Sequence, residues 1–266
     1  MKLNVDSNAT PKFFKARSVP LALKGKVEAE LDKLESMGII SPVQFSKWAA
    51  PIVPVLKHNG AVRICGDYKV TINQASLVDT YPLPRIDELL ANLSGGKYFS
   101  KLDMSQAYLQ LPLDKQSREY VTVNTPKGLY EYNRLPFGVS SAPSIFQRTM
   151  ENLLQGIKGV SVYIDDILIS GSTVEEHLQT LDKVLERLNN AGLRLNKYKC
   201  FFLRSWIKYL GHIIDKDGLH PTKEKVQAIR EAPTPRNVGE LRSFFGIINY
   251  YSRFLPNLSS KLAPLY

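Results

Sequence analysis

Tyr163-Ile164-Asp165-Asp166 lies inside an apolar run, with Val160-Ser161-Val162 before it and Ile167-Leu168-Ile169-Ser170-Gly171 after it. Two adjacent carboxylates in a β-branched strand pattern are costly, because an unpaired charge is expensive to bury. Such a pair calls for a cation or metal beside it. A tight hairpin whose turn carries Asp165 and Asp166 would put both carboxylates at its tip. Asp103 ends a second apolar segment, Tyr98-Phe99-Ser100-Lys101-Leu102, 62 residues before Asp165, and is the candidate third ligand. Hard oxygen donors at strand ends suit Mg²⁺, which takes a few carboxylates together with substrate phosphates. Two such ions about 3.5–4 Å apart can clamp an in-line displacement at phosphorus, one activating an attacking hydroxyl and the other holding a triphosphate and its leaving pyrophosphate. The plain counterpart is a solvated acidic turn, and the apolar flanks weigh against it.

The elements that must position these residues are a mixture of helices and strands. Residues 1–20 are polar, contain proline, and read as extended. Lys26 to Met37 reads as a helix with Val27, Leu31 and Leu34 on one face and Gly38 as its stop. Pro51–Lys57 and Ala61–Cys65 flank His58-Asn59-Gly60, and Asn-Gly between apolar runs predicts a hairpin with Lys57 and Arg63 near its tip. Asp103 to Leu113 passes from strand into a turn or short helix. Ser141 before Pro143 opens a helix carrying Ile145, Phe146, Met150, Leu153 and Leu154. Thr173-Val174-Glu175-Glu176 is a capping box opening a helix with Leu178, Leu181, Leu185 and Leu188 inward and His177 in solvent. Pro221-Thr222 starts a short helix bearing Val226 and Ile229. Asn237-x-x-Glu240 caps a longer one through Phe244, Phe245, Ile248 and Tyr251.

Five ordered motifs then carry a resemblance. They are Leu102-Asp103-Met104-Ser105-Gln106-Ala107-Tyr108, Leu135-Pro136-Phe137-Gly138, Ala142-Pro143-Ser144-Ile145-Phe146-Gln147, Tyr163-Ile164-Asp165-Asp166 and Tyr209-Leu210-Gly211-His212. Together they resemble the reverse transcriptase of gypsy-class LTR retrotransposons and, more distantly, of retroviruses, from about Leu31 to Tyr266. The resemblance implies an α+β right-hand polymerase with fingers, palm and a partial thumb. It implies RNA-directed DNA synthesis with two Mg²⁺ ions, Mn²⁺ being able to substitute. The expected partition is an N-terminal segment and fingers over 1–78, palm over 79–110, fingers over 111–141, palm over 142–219 and thumb or start of a connection over 220–266.

Residue by residue, the resemblance makes Asp103, Asp165 and Asp166 metal ligands. Arg63, four residues before Asp67-Tyr68, and Lys57 would bind the triphosphate; a planar guanidinium suits bidentate phosphate contacts. Tyr108 would sit beneath the sugar of the incoming nucleotide and exclude a 2′-hydroxyl. Phe137 and Gly138 would line the same nucleotide, with Phe137 standing where retroviral enzymes usually carry glutamine. Lys199 would protonate the leaving pyrophosphate, with Lys197 as a competitor for that role. Tyr209, Leu210 and Gly211 would grip the primer 3′ end, Gly211 allowing close backbone approach. Spacing alone also allows Tyr108 and Phe137 to be core aromatics and Lys57 and Arg63 to be solvated loop cations.

Charge agrees with a polyanionic partner, and equally with a lysine-rich solvated face. Between Gly192 and Tyr266 there are 13 Lys and Arg against 5 Asp and Glu, which is +8 of the chain's net +10. Arg236, Arg242 and Arg253 alternate with aromatics there, as expected of a segment tracking a template–primer backbone. The aromatics themselves read as core, because a duplex offers few free base faces. The expected partners are an RNA or DNA template with primer, and dNTPs. Cys65 and Cys200 have neither metal-ligand nor disulfide spacing and read as buried structural thiols in a reduced, intracellular setting, cytoplasmic or within virus-like particles. No apolar run reaches the roughly 18 residues of a membrane span, and the start is not a secretory signal. The last residues, Ala263-Pro264-Leu265-Tyr266, stand where the family continues towards an RNase H domain, so the chain reads as the polymerase core of a longer Pol polyprotein. Two other classes stay open: a truncated or domesticated fragment that binds nucleic acid without polymerising, and a metal nuclease using the same carboxylates. The Arg63 hairpin and the Phe137-Gly138 segment favour polymerisation, since a nuclease has no triphosphate to hold.

Overall fold

The computed structural model describes residues 1–57, 60–77 and 81–263, and all of these except the side chain of Arg253. His58 and Asn59 of the expected hairpin turn, the 78/79 boundary and the terminal Pro264-Leu265-Tyr266 lie outside the described residues. In chain order the first elements are α1 (Leu21–Ser36), β1 (Ile40–Val43), β2 (Ala50–Leu56), β3 (Val62–Gly66), α2 (Ile86–Ala91) and β4 (Tyr98–Asp103). Next come α3 (Lys115–Tyr120), β5 (Val123–Thr125), β6 (Gly128–Tyr132), α4 (Ala142–Leu154), β7 (Val160–Tyr163), β8 (Asp166–Gly171) and α5 (Val174–Asn190). The last are β9 (Phe201–Arg204), β10 (Trp206–Tyr209), β11 (His212–Asp215), β12 (Gly218–Pro221), α6 (Lys223–Arg230), α7 (Val238–Tyr250) and α8 (Leu258–Leu262).

The described residues form three sheets. The first has the order β1-β6-β5-β2-β3, with only the β2–β5 pair parallel; the second is β7-β8-β4-β9; the third is β10-β11-β12. Helices α4 and α5 pack on one face of the second sheet. The period-two alternation of β8 explains why its sequence is apolar throughout. Ile167 and Ile169 enter the main core, whereas Leu168 points the other way, into a smaller cluster with Leu89, Leu93, Phe99, Ile207, Tyr209 and Ile214. A strand buried on both faces reads as a continuous apolar run.

The helix readings hold with physical adjustments. Helix α1 buries Val27, Leu31 and Leu34 as its spacing predicts, each contributing about 1.5–3 kcal/mol. It starts five residues earlier than expected, directly after Pro20, because Gly25 faces open space and does not interrupt it. Asn237 caps α7, its side-chain oxygen accepting from the Glu240 N–H at 2.9 Å. Thr173 caps α5 by accepting from the Glu176 N–H at 3.2 Å, and Glu176 reaches back to the Ser172 N–H at 2.9 Å. The inward face of α5 is rotated from the expected leucine stripe. His177, Val184 and Leu188 are buried, Leu181 and Leu185 flank them, and Leu178 is exposed.

His177 is therefore a core residue, 0 % exposed, not a solvated one. Its Nε2 lies 2.7 Å from the Ser100 hydroxyl on β4, which also accepts from the Leu203 N–H of β9 at 3.1 Å. Burial holds its imidazole pKa below the ordinary 6.5. The unfolded chain then takes up a proton as pH falls through 6.5 while the folded chain resists it, so this contribution is complete above 6.5 and lost below. Thermal melting between about pH 7.5 and 5.5 is expected to fall more steeply for the native chain than for His177→Gln. Identical slopes would show that His177 is not the titrating group.

Both cysteines are half-buried and unpaired with each other; Cys200 accepts from the Asp103 N–H at 3.4 Å, directly behind that carboxylate. Among the described residues no helix is long and apolar enough to cross a membrane.

Candidate active site

Asp103 and Asp166 are directly opposed across the β4–β8 ladder, as the last pair of their register. Directly opposed residues share a face, so the two carboxylates stand side by side, a destabilising arrangement for like charges. Asp165 belongs to the two-residue turn between β7 and β8, whose register closes at Tyr163↔Asp166, and its carbonyl accepts from the Met104 N–H at 3.0 Å. Of the two aspartates expected in the turn, Asp166 is already the first residue of the strand. The three acidic residues thus come from two adjacent strand ends.

The turn is strained and clamped. Ile164 has φ +53°, unusual for a β-branched residue. Gln147 of α4 holds it. The fully buried side chain accepts from the Ile164 N–H at 2.6 Å and donates to the Val162 carbonyl at 2.8 Å and to Glu151 at 2.6 Å. Gln147 closes the Ala142–Gln147 motif, where its position alone names no task. The available signal was an amide between Phe146 and Met150 on an inward helix face, where a polar group must be paired.

Two lysines answer the acidic cluster. Lys101 Nζ lies 2.8 Å from Asp166 Oδ2, and Lys199 Nζ lies 3.4 Å from Asp103 Oδ2. Lys101 was also missed, although it stands two residues before Asp103 and so faces the same side. Burial pushes the Asp166 carboxyl above its ordinary range; Lys101 opposes that, and the charges of Asp165 and Asp103 add to it. Lys197, the competitor for the Lys199 role, instead turns over the Tyr198 ring, 5.1 Å from its centre.

The remaining expected residues form a wall beside the acids. In the β2–β3 hairpin Arg63 pairs with Val55, and the Lys57 N–H donates to the Ala61 carbonyl at 2.8 Å. Strand alternation places Lys57, Arg63 and Cys65 on one outer face. The Arg63 guanidinium lies over the Phe137 ring at 4.8 Å, Phe137 packs on Tyr108 at 5.2 Å, and Tyr108 on Phe146 at 5.6 Å. Burial, with a smaller effect of Asp165, pushes the Tyr108 hydroxyl up to about 12, which marks that ring as a neighbour of the acid turn. Gly138 has φ +102°, and a Cβ there would lie 2.8 Å from the Gly66 carbonyl oxygen. Asn73 fixes this loop by donating to the Gly138 carbonyl and accepting from the Ser140 N–H, both at 2.9 Å.

Tyr209 is a core residue at the end of β10. Its side chain is 3 % exposed and belongs to the smaller core cluster; the Leu210-Gly211 turn that follows is part-exposed, and Gly211 has φ +80°. His212 anchors that turn against Tyr250, Tyr251 and Phe254. Phe245 and Tyr251 are buried as expected of core aromatics, and Arg236 and Arg242 are exposed.

Among the described residues no three His, Cys, Asp or Glu side chains form a ready-made metal cage. The donor set nevertheless fits a hard divalent cation. Three carboxylates gather at two adjacent strand ends, two of them directly opposed, and burial, with the neighbouring acids adding to it, raises the pKa of Asp166. Mg²⁺ binds readily to one or two carboxylates with waters and substrate phosphates filling the other positions.

Comparison with known proteins decides the family. The pattern described as reverse transcriptase (RNA-dependent DNA polymerase) matches residues 55–214, more than half of the chain. This chain belongs to the reverse transcriptase family. Its relatives include retrotransposon Pol polyproteins. That of Drosophila melanogaster transposon 297 is 34% identical over 94% of this chain and 24% of the relative. The foamy viral protease–reverse transcriptase dRH, solved with double-stranded DNA, is similar with a TM-score of 0.86 at 30% identity, over 100% of this chain and 47% of that one. The foamy viral protease–reverse transcriptase solved with an RNA/DNA hybrid gives 0.80 at 30% identity, over 100% of this chain and 36% of that one. This reverse transcriptase chain therefore has the α+β polymerase fold, and the family uses divalent metal ions. It spans about a fifth to a quarter of the length of its curated relatives.

Proposed function

We propose that the chain is the RNA-directed DNA polymerase core of a gypsy-class retrotransposon, adding deoxynucleotides to a primer 3′-hydroxyl on an RNA or DNA template. The observation that carries this reading is the opposed Asp103–Asp166 pair, with Asp165 beside it, next to the Arg63–Phe137–Tyr108 wall. Asp103, Asp165 and Asp166 would hold two divalent ions, Mg²⁺ or Mn²⁺, which when bound activate the attacking oxygen and neutralise charge on the phosphates. Arg63, with Lys57 on the same hairpin face, binds the triphosphate; stacking on Phe137 holds the guanidinium in place. A bond forms from the primer 3′-oxygen to the α-phosphorus as the bridging bond to pyrophosphate breaks. Lys199, on a strand-adjacent turn and 66 % exposed, can leave Asp103 and give a proton to the departing pyrophosphate. In this reading residues 1–78 are an N-terminal segment and fingers, 79–110 palm, 111–141 fingers, 142–219 palm and 220–266 thumb or the start of a connection, with an RNase H domain expected downstream in the polyprotein. The chain would act inside the cell, in cytoplasm or virus-like particles.

Primer extension tests the proposal, using an RNA template, a DNA primer, Mg²⁺ and all four deoxynucleotides. Extension is expected. A folded chain that binds template–primer but never extends it would support the alternative, a non-polymerising fragment. Tyr108 supplies a second test. Replacing its ring, wedged between Phe137 and Phe146, should open space beneath the sugar. Tyr108→Ala is expected to raise ribonucleotide incorporation relative to deoxyribonucleotide by about ten- to a hundredfold. Unchanged sugar selectivity would remove Tyr108 from this role.

A further inference from the structure

Lys101 is held inside the sheet, on the inner strand β4, rather than at its rim. It lies on β4 between Ser100 and Leu102, both fully buried, and its side chain is only 21% exposed, against 20% for Asp166 and 66% for Lys199. Its register partner is Leu168, so Asp166 is its diagonal neighbour on the same face, and the stem is just long enough to put Nζ 2.8 Å from Asp166 Oδ2. Beneath it lies the Tyr209 ring, its centre 5.7 Å from Nζ. The Tyr209 hydroxyl is fully buried and has no hydrogen-bond partner among the described residues. A buried phenol without a partner is uncommon and costs stability unless something else uses it.

We propose that Lys101 is a resident counter-ion that competes with divalent metal for Asp166, and that Tyr209 receives its ammonium group when metal takes that carboxylate. This rests on the reading that the three aspartates hold divalent cations. A cation and an ammonium cannot both have full use of one carboxylate oxygen, so each ion bound at Asp166 must displace or share Lys101. The displaced ammonium stays in a poorly hydrated place, where the aromatic face and the unpaired phenol oxygen are the partners within its reach. The consequence is an asymmetric site: a metal ion leaning on Asp166 is bound more weakly than one held by Asp103 and Asp165, and it is retained firmly only when substrate phosphates add ligands.

Binding of Mn²⁺ alone, followed by its paramagnetic resonance signal without nucleic acid, tests this. Lys101→Met keeps the stem and removes the charge. It is expected to tighten Mn²⁺ on the order of tenfold, the lower range of what neighbours of metal ligands contribute. It should also melt lower than the native chain in chelator and regain that loss when Mn²⁺ is added. Lys101→Arg, which can pair with Asp166 through two N–H groups, should move affinity the other way and keeps the test decisive if the methionine variant folds poorly. Tyr209→Phe removes only the acceptor oxygen; it should weaken Mn²⁺ binding in the native background and have no effect alongside Lys101→Met. Unchanged Mn²⁺ affinity in both Lys101 variants would overturn the counter-ion role, and an equal Tyr209→Phe effect in both backgrounds would overturn the acceptor role. Asp165→Asn separates this from the underlying reading: if it too leaves Mn²⁺ binding unchanged, the metal site itself fails, whereas lost binding there with indifferent Lys101 variants refutes only the counter-ion.

Discussion

Asp165→Asn is expected to reduce primer extension on the order of a thousandfold or more while leaving template–primer affinity within about threefold. The change keeps the size of the side chain and removes its negative charge. The Asp165 carbonyl, which receives the Met104 N–H, is backbone and survives the substitution. Gln147 grips the turn through Ile164 and Val162, not through the Asp165 carboxylate, so the hairpin should keep its shape. The exposed Arg236 and Arg242, expected to contact a duplex backbone under the proposed function, lie on or beside α7 and are untouched. Extension measured beside filter binding or anisotropy checks both halves. Full extension by this variant would refute the metal assignment, and an equal loss of binding would mean that the turn itself had collapsed.

Gly138→Ala is the second large effect. The backbone there has φ +102°, where a side chain is strained whatever the space, and the space is also absent: the added Cβ meets the Gly66 carbonyl oxygen at 2.8 Å. That neighbour is backbone at the end of β3, three residues past Arg63, and cannot swing aside like a flexible side chain. We expect a loss of roughly 2–4 kcal/mol in stability, which lowers the melting temperature by about 5–15 °C. The surviving folded molecules should bind deoxynucleotide more weakly, because moving the loop away from β3 separates Phe137 from Arg63. Denaturant or thermal unfolding, with nucleotide KM from primer extension, checks both. A variant with native stability would mean that the Asn73-clamped loop relaxes freely.

The two substitutions probe different kinds of information. The alanine at position 138 tests a close approach between segments more than seventy residues apart in sequence, whereas the asparagine at 165 tests a carboxylate whose importance is legible locally. Costly acids in apolar strands, the Asn237 and Thr173 caps, the Val27–Leu31–Leu34 face and the hairpin bearing Arg63 are all short-range signals. Each depends on residues within about two turns or two strand steps, where propensity and periodicity operate. The family motifs add what those signals alone cannot, naming which acids and which aromatic belong to one site.

Tertiary structure decided the pairings. Whether β8 neighbours β4 is a matter of strand order, which no local pattern contains, and that order together with the register puts Asp166 opposite Asp103 and within reach of Lys101. The same holds for Arg63 on Phe137 and for Gln147 on the acid turn. The burial of His177, expected in solvent, and of the Tyr209 ring has a related cause. Both are amphipathic residues acceptable in water or in a core, so their surroundings depend on which face of α5 and of β10 the sheet happens to cover. The sequence by itself determined which residues carry charge and which segments are helix or strand, because these follow from side-chain chemistry and near-neighbour geometry. Only the packed structure determined which charges answer one another, because an ion pair or a clamp forms between atoms that strand order and register bring within about 3 Å.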